Sequence, residues 1–506
     1  MPIILLIVFL FLFSNFRAQE LTFDVKQHLS TVTRYEASKC GRNSNHNIPP
    51  PPDGCVPIHL NLVARHGTRA PTKKRIEELN NLENELKKLL GDDVGKIDSS
   101  HHKVPSWLKQ WKSPWSEKVN GGELIPEGEE ELYDLGIRTK KLFPDLLSDN
   151  YHPDVYTIKA TQIDRASASA VAFGMGLFNG SGSLGSDRHR AFSVISENHA
   201  SDMMLRFFES CRRYKKYKKK QKPKVEKLKE PVLHDITKSL TERYDLNFTQ
   251  QHISSLWFLC KQEASLLNKT DQACGLFNPS EVALLEWTDD IEVFMLKGYG
   301  NSLNYRMGVN LLKDVFESMK NAIKARQVPG RLYEKARLRF SHAETVIPFT
   351  CLLGLFLEGE AEAEEFKQIQ TEHYPLELPP RPPATRNWKV SNVSPFAGNN
   401  MLVLYSCPVA NSFDEYFVRV LHNEEPIAMP GCDGSYFCPF NMFKEKIVDP
   451  LLKHDFKKLC TVNEEEPTQV LESSKLSLFD WPSKLSLLDW FFWLRNDDEQ
   501  PQKDEL

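Results

Sequence analysis

The eight residues Arg65-His66-Gly67-Thr68-Arg69-Ala70-Pro71-Thr72 set two permanent cations on either side of one imidazole. Arginine carries a planar fork of donors that matches phosphate oxygens. A neutral imidazole is a nucleophile. The pair describes phosphoryl transfer without a metal, against the plainer reading of a basic turn that salt-bridges locally. Two other stretches hold complementary groups: Arg165, in TQIDRASASA, and Ser341-His342-Ala343-Glu344, which adds a second imidazole and an acid. Lys73, Lys74 and Arg75 follow the octapeptide closely enough to extend a cationic pocket.

These three stretches need three strands to carry them. Residues 56–63 (VPIHLNLV), 155–160 and 336–340 (ARLRF) read as strands. Each is followed by a short loop and then a helical stretch, so the chemistry-bearing residues sit where strands end. Ligands of open α/β sheets bind in the crevice beyond those carboxyl ends, and helix N-termini there favour an anion. Gly67 is expected to let the backbone turn sharply. The segment GELIPEGEEELYDLG starts a helix at Pro126, with Leu132, Leu135, Leu142 and Phe143 as core positions and no chemistry of its own. Residues 186–325 read as mostly helical. Within them Arg212 to Lys224 is a basic tract read as a solvated face, the alternative being a funnel for a polyanion. Asp289, Asp290 and Glu292 are expected as surface acids, and no spacing argues for a metal. Gly180 to Gly185 matches G-x-G-x-x-G, but it follows a helix and overlaps a glycosylation sequon, so it reads as a flexible loop. Near the end, Lys475 to Trp481 is echoed by Lys484 to Trp490, a segment expected to dock on the domain.

A net charge of -4 over 506 residues argues against general nucleic-acid binding, so any attraction for anions must be local. The apolar run from Ile3 to Phe13 is too short to span a bilayer and reads as a secretory leader, residues 1–18, with no other run long enough to cross. The last four residues, Lys503-Asp504-Glu505-Leu506, form an ER-retrieval address, which makes the retrieval receptor an expected partner and the ER lumen the expected location. Ten cysteines suit an oxidising compartment. Close spacing makes Cys260–Cys274 and Cys432–Cys438 plausible pairs and leaves the others open. Sequons stand at Asn179, Asn247, Asn268 and Asn392.

RHGTRAPT and SHAE, with TQIDRASASA between them, resemble the motifs of the histidine acid phosphatases. Within that superfamily the chain is similar to the multiple inositol polyphosphate phosphatases, in particular their plant, phytase-like members. The likeness runs from about Cys40 to about Cys460, and the tryptophan-rich tail lies outside it. The resemblance implies an α/β fold: a mixed sheet flanked by helices, with an inserted mainly helical domain. Its approximate bounds are 30–80, 150–180 and 325–465 for the catalytic domain, 81–149 and 181–324 for the helical one, and 466–506 for the tail. It also implies the disulfides Cys55–Cys407 and Cys211–Cys460, and Cys40 paired with Cys351.

The roles implied are a nucleophile, His66, and a proton donor, Glu344. Arg65, Thr68, Arg69, Arg165 and His342 would bind the phosphate, with Lys73, Lys74 and Arg75 meeting further phosphates of an inositol polyphosphate. No cofactor or metal is called for, and a monomer is expected. Hydrolysis would pass through a phosphohistidine, with an acid optimum if Glu344 must be protonated while His66 stays neutral. The H-A-E variant lacks the adjacent acid of H-D relatives, so their positional specificity does not carry over. Competing readings are a broad acid phosphatase or bisphosphoglycerate-type phosphatase, and an ER binding protein for inositol polyphosphates.

Overall fold

The structure, a computed structural model, describes residues 23–39, 50–90, 103–328, 330–357, 362–370, 379, 381–383, 386–409 and 414–462. The leader, Cys40, the repeated tryptophan-rich segment and the KDEL ending lie outside these residues.

A seven-stranded mixed sheet organises the chain: β1 (Val56–Arg65), β2 (Tyr156–Ala160), β3 (Ala336–Ser341), β4 (Asn399–Cys407), β5 (Glu415–His422), β6 (Glu425–Ile427) and β7 (Cys438–Pro439). The spatial order is β2-β3-β1-β4-β5-β6, with β7 also on β5. β2, β3 and β1 run parallel, and β4 and β5 complete the sheet antiparallel. The three predicted strands are therefore neighbours, each within two residues of its expected bounds.

The principal helices are α1 (Lys73–Leu90), α2 (Pro126–Leu142), α3 (Asp164–Leu177), α4 (Arg212–Tyr244), α5 (Gln250–Leu266), α6 (Pro279–Lys297), α7 (Val309–Arg326) and α8 (Ala343–Leu352). Side chains alternate along the central strands, so both sheet faces are apolar. Leu60, Leu62 and Ala64 of β1 pack with Leu135 of α2 and Phe173 of α3. On the other face Leu402 and Leu404 of β4 pack with Val315 of α7 and Ile347 of α8. A third apolar cluster joins α1, α5, the later part of α4 and the start of α6, away from the sheet. Among the described residues no helix is long and apolar enough to cross a membrane.

Disulfides join Cys55 to Cys407, Cys211 to Cys460, Cys260 to Cys274 and Cys432 to Cys438. Cys351 is buried and joins no other cysteine among the described residues; Cys40, the partner that the resemblance implies, lies outside them. Asn179, Asn247 and Asn268 are exposed, whereas Asn392 is half-buried and Ser394 of its sequon is fully buried.

Three expectations are corrected. Asp289, Asp290 and Glu292 are not surface acids: Asp290 is wholly buried and paired with Arg386, Glu292 is paired with Lys229, and Asp289 meets Lys261 at 2.7 Å. Leu142 is exposed while Leu132, Leu135 and Phe143 form core. At Gly67, where a sharp turn is expected, the backbone makes neither a turn nor a bend. A Cβ there would lie 2.1 Å from the carbonyl oxygen of Gly128, so the glycine is needed because the loop presses against the first turn of α2.

Candidate active site

Register brings the three loops together. Arg65 pairs with Ser341, and Ala160 with Phe340, so β1, β3 and β2 end side by side. Backbone bonds continue the ladder past the strand ends, from His66 N to Ser341 O (2.9 Å) and Thr161 N to Phe340 O (3.1 Å). His66, Thr161 and His342 thus leave the sheet on one rim.

The ring of His66 is buried, and its Nδ1 lies 2.8 Å from the carbonyl of Gly67. A carbonyl only accepts, so Nδ1 must carry the proton and Nε2 keeps its lone pair. Burial first, then the charges of Arg165 and Arg65, hold this imidazole well below its ordinary pKa, in the neutral, nucleophilic form. The ring of His342 stands 5.5 Å away, edge to face. Its Nε2 faces Arg206 Nη1 at 3.2 Å and Thr161 Oγ1 at 3.1 Å. Guanidinium only donates, so His342 is protonated on Nδ1. Burial, then Arg165 and Arg206, keep it neutral as well.

Four arginines crowd these rings. Arg65 is buried, stacks on Phe396 at 4.4 Å, and donates from Nη1 to the carbonyls of Thr31 and Ser394. Its Nε is buried and makes no hydrogen bond among the described residues. Arg69 donates to Ala70 O at 2.9 Å, and Arg165, in the first turn of α3, reaches Gly122 O at 3.4 Å. Arg206 lies over Phe208 at 5.3 Å. Burial, then mutual repulsion, push Arg165 down to about 8. Burial, then Arg69, lower Arg65 to about 9. Cations held this close disfavour one another, and a bound anion relieves that cost.

Glu344 sits in the first turn of α8, almost fully buried, with its carboxylate 2.7 Å from Nζ of Lys297. Burial disfavours its charge, but Lys297 and then Lys218 outweigh that and hold the carboxyl well below its usual range. The lysine ammonium thus favours the carboxylate over the protonated form that a general acid needs.

The other expected residues divide. The Thr68 hydroxyl does not serve the rim: it donates to Glu131 at 2.8 Å, and its backbone N–H reaches the same carboxylate at 2.8 Å. Arg75 pairs with Glu78 at 2.6 Å and covers Phe258 at 4.7 Å, while Lys73 and Lys74 are exposed at the start of α1. The sequence reading missed Arg206, Glu131 and Lys297. Arg206 had one signal, a lone charge in Met203-Met204-Leu205-Arg206-Phe207-Phe208. Glu131 was hidden among the acids of α2, and Lys297 stood as an ordinary basic residue at a helix end.

A parallel sheet edge that presents a neutral histidine under clustered arginines defines a histidine-type phosphatase. The chain belongs to the Histidine phosphatase superfamily (branch 2), whose family model matches residues 58–423. It is 26% identical to multiple inositol polyphosphate phosphatase 1 of Dictyostelium discoideum, over 82% of this chain and 70% of that protein. Its fold is similar to the crystal structure of the phytase from D. castellii (TM-score 0.62, 16% identity, 88% of this chain and 91% of that one). It is also similar to Bifidobacterium longum multiple inositol polyphosphate phosphatase in complex with inositol hexasulfate (TM-score 0.59, 16% identity, 84% and 98%).

Proposed function

We propose that this protein removes phosphates from inositol polyphosphates through a phosphohistidine on His66. The observation that carries the proposal is the fixed tautomer of His66: its Nδ1 is bound to Gly67, which leaves Nε2 unprotonated, with its lone pair, beneath four arginines. Nε2 attacks phosphorus in line with the leaving alcohol. Arg65, Arg69, Arg165 and Arg206, with Nδ1–H of His342, match the charge on the equatorial oxygens. Glu344 protonates the leaving oxygen and then draws a proton from the water that cleaves the phosphohistidine. The substrate class rests on the multiple inositol polyphosphate phosphatases among the relatives, with Lys218, whose charge acts on Glu344, and Lys73 and Lys74, which follow the RHGTRAPT loop in sequence, as the cations for further phosphates. The four disulfides suit an oxidising compartment. With the KDEL ending they support residence in the ER lumen through the retrieval receptor.

Rapid-quench trapping on labelled inositol hexakisphosphate tests the mechanism. The native protein yields an acid-labile phosphoenzyme, and His66→Ala yields neither label nor turnover. A native protein that turns over with no trappable label on His66 would refute the mechanism. Glu344→Gln slows release of an alkyl leaving group far more than that of an activated aryl one. Equal slowing of both would remove Glu344 from the acid role.

A further inference from the structure

The position of Glu344 raises a question about its proton. A general acid must hold a proton when the leaving group departs, yet this carboxylate lies 2.7 Å from a lysine ammonium in a nearly closed site. Lys297 is the last residue of α6 and Glu344 lies in the first turn of α8. Each charge therefore complements its own helix dipole, and the two helix ends hold the pair in contact. Every neighbouring charge acts the same way. Lys218 approaches from α4, Arg165 from α3, Arg206 from the segment before α4, and Arg65 and Arg69 from the loop after β1. His66 and His342 are the neutral titratable groups there, and Tyr214 of α4 faces Glu344 as a phenol. No second carboxylate stands against Glu344 to share a proton with it among these groups.

We propose that Lys297 is a positioning residue that keeps Glu344 a carboxylate in the substrate-free site, so that the leaving-group proton enters with the substrate phosphate. The inference rests on the reading of Glu344 as the acid. A phosphomonoester loses its second proton at a pH of about 6, so below that it arrives as a monoanion. The monoanion gives its proton to Glu344 and becomes a dianion under the arginines, which are better matched to two charges. The bond from His66 Nε2 to phosphorus then forms as the bond from phosphorus to the alcohol oxygen breaks. The electron pair of that bond stays on the alcohol oxygen, which takes the proton from Glu344. Glu344 is again a carboxylate, ready to accept a proton from water as that water's oxygen attacks the phosphohistidine. The proton leaves with inorganic phosphate, so ester monoanion plus water gives alcohol plus phosphate monoanion.

Difference infrared spectroscopy of the substrate-free protein reads the state of Glu344 directly, with Glu344→Gln as the subtraction. The native protein shows a carboxylate band for this residue throughout the working acid range, Lys297→Arg keeps it, and Lys297→Met replaces it by a protonated-carboxyl band. A protonated-carboxyl band in the native protein in that range overturns the proposal. Kinetics supply a second measurement that needs no variant. The fall of kcat/KM towards neutral pH is compared for ethyl phosphate and trichloroethyl phosphate, whose second ionisations differ. The midpoint moves with the ester in the native protein. A midpoint that stays fixed across esters assigns the limb to a free-enzyme group and overturns the proposal. Failure of the underlying phosphatase reading looks different: neither ester is hydrolysed and no label appears on His66, whatever the infrared band.

Discussion

At the scale of single residues, the site depends on hydrogen bonds that fix where protons sit. Arg206 donates to Nε2 of His342 at 3.2 Å, and that one contact places the proton of His342 on Nδ1. Arg206 belongs to no motif, yet it determines what the second imidazole can offer a phosphate oxygen. Arg206→Ala frees the other tautomer and removes a buried cation. We expect kcat/KM on inositol hexakisphosphate to fall by about 10²-fold, the scale of one lost transition-state donor. Steady-state kinetics check this, and a loss confined to KM would place Arg206 in substrate capture alone. The two histidines and the glutamate were legible from the sequence because they stand directly after strand-like runs. Arg206 was not, because its importance comes from His342, 136 residues further on.

At the scale of elements, α2 works as a clamp on the loop that carries His66. Glu131, on its buried face, accepts from Thr68 N, from Thr68 Oγ1 and from Tyr35 N (3.2 Å). Ser169 of α3 accepts from Gly67 N at 3.1 Å on the other side. Replacing Glu131 by Ala strands these donors in a dry site. The expected cost is about 3 kcal/mol of stability, together with a loss of turnover from a loosened loop. Chemical denaturation and kcat measure the two effects, and a variant as stable as the native chain would show that the clamp is not needed. The strands and helices themselves were readable from alternation, β-branched runs and a proline at a helix start. The burial of charges was not. Asp290 meets an arginine 96 residues later, Glu292 a lysine 63 residues earlier, and Glu344 a lysine 47 residues earlier. Local pattern carries no trace of such partners, so an acid on a helix reads as solvated whether or not it is.

At the scale of the molecule, closure and charge are set by long-range ties. One disulfide joins residues 352 apart, from the start of β1 to the end of β4, and another joins the N-cap of α4 to the last described helix, 249 residues on. A protein so closed still has a weakness in acid, because among the described residues His59, His66 and His342 are buried and held neutral. His66 and His342 belong to the site, whereas His59 is structural. Its Nδ1 donates to Glu334 O at 2.8 Å, its Nε2 meets Ser318 at 3.0 Å, and burial lowers it from 6.5 to about 4. Below 6.5 the unfolded chain takes up a proton that the folded chain refuses until about 4, so stability must fall as pH falls through that window. For His59 alone the loss is about 3 kcal/mol by the lower limit. His59→Gln cannot take up that proton in either state. Its stability at pH 7 will be lower, from lost packing, but its decline between pH 7 and pH 4 should be shallower than that of the native chain by about 3 kcal/mol. Guanidinium midpoints at the two pH values, converted through a common m-value, measure that difference. Parallel declines would mean that His59 takes up its proton in the fold as readily as in the unfolded chain and that the acid sensitivity belongs to other groups.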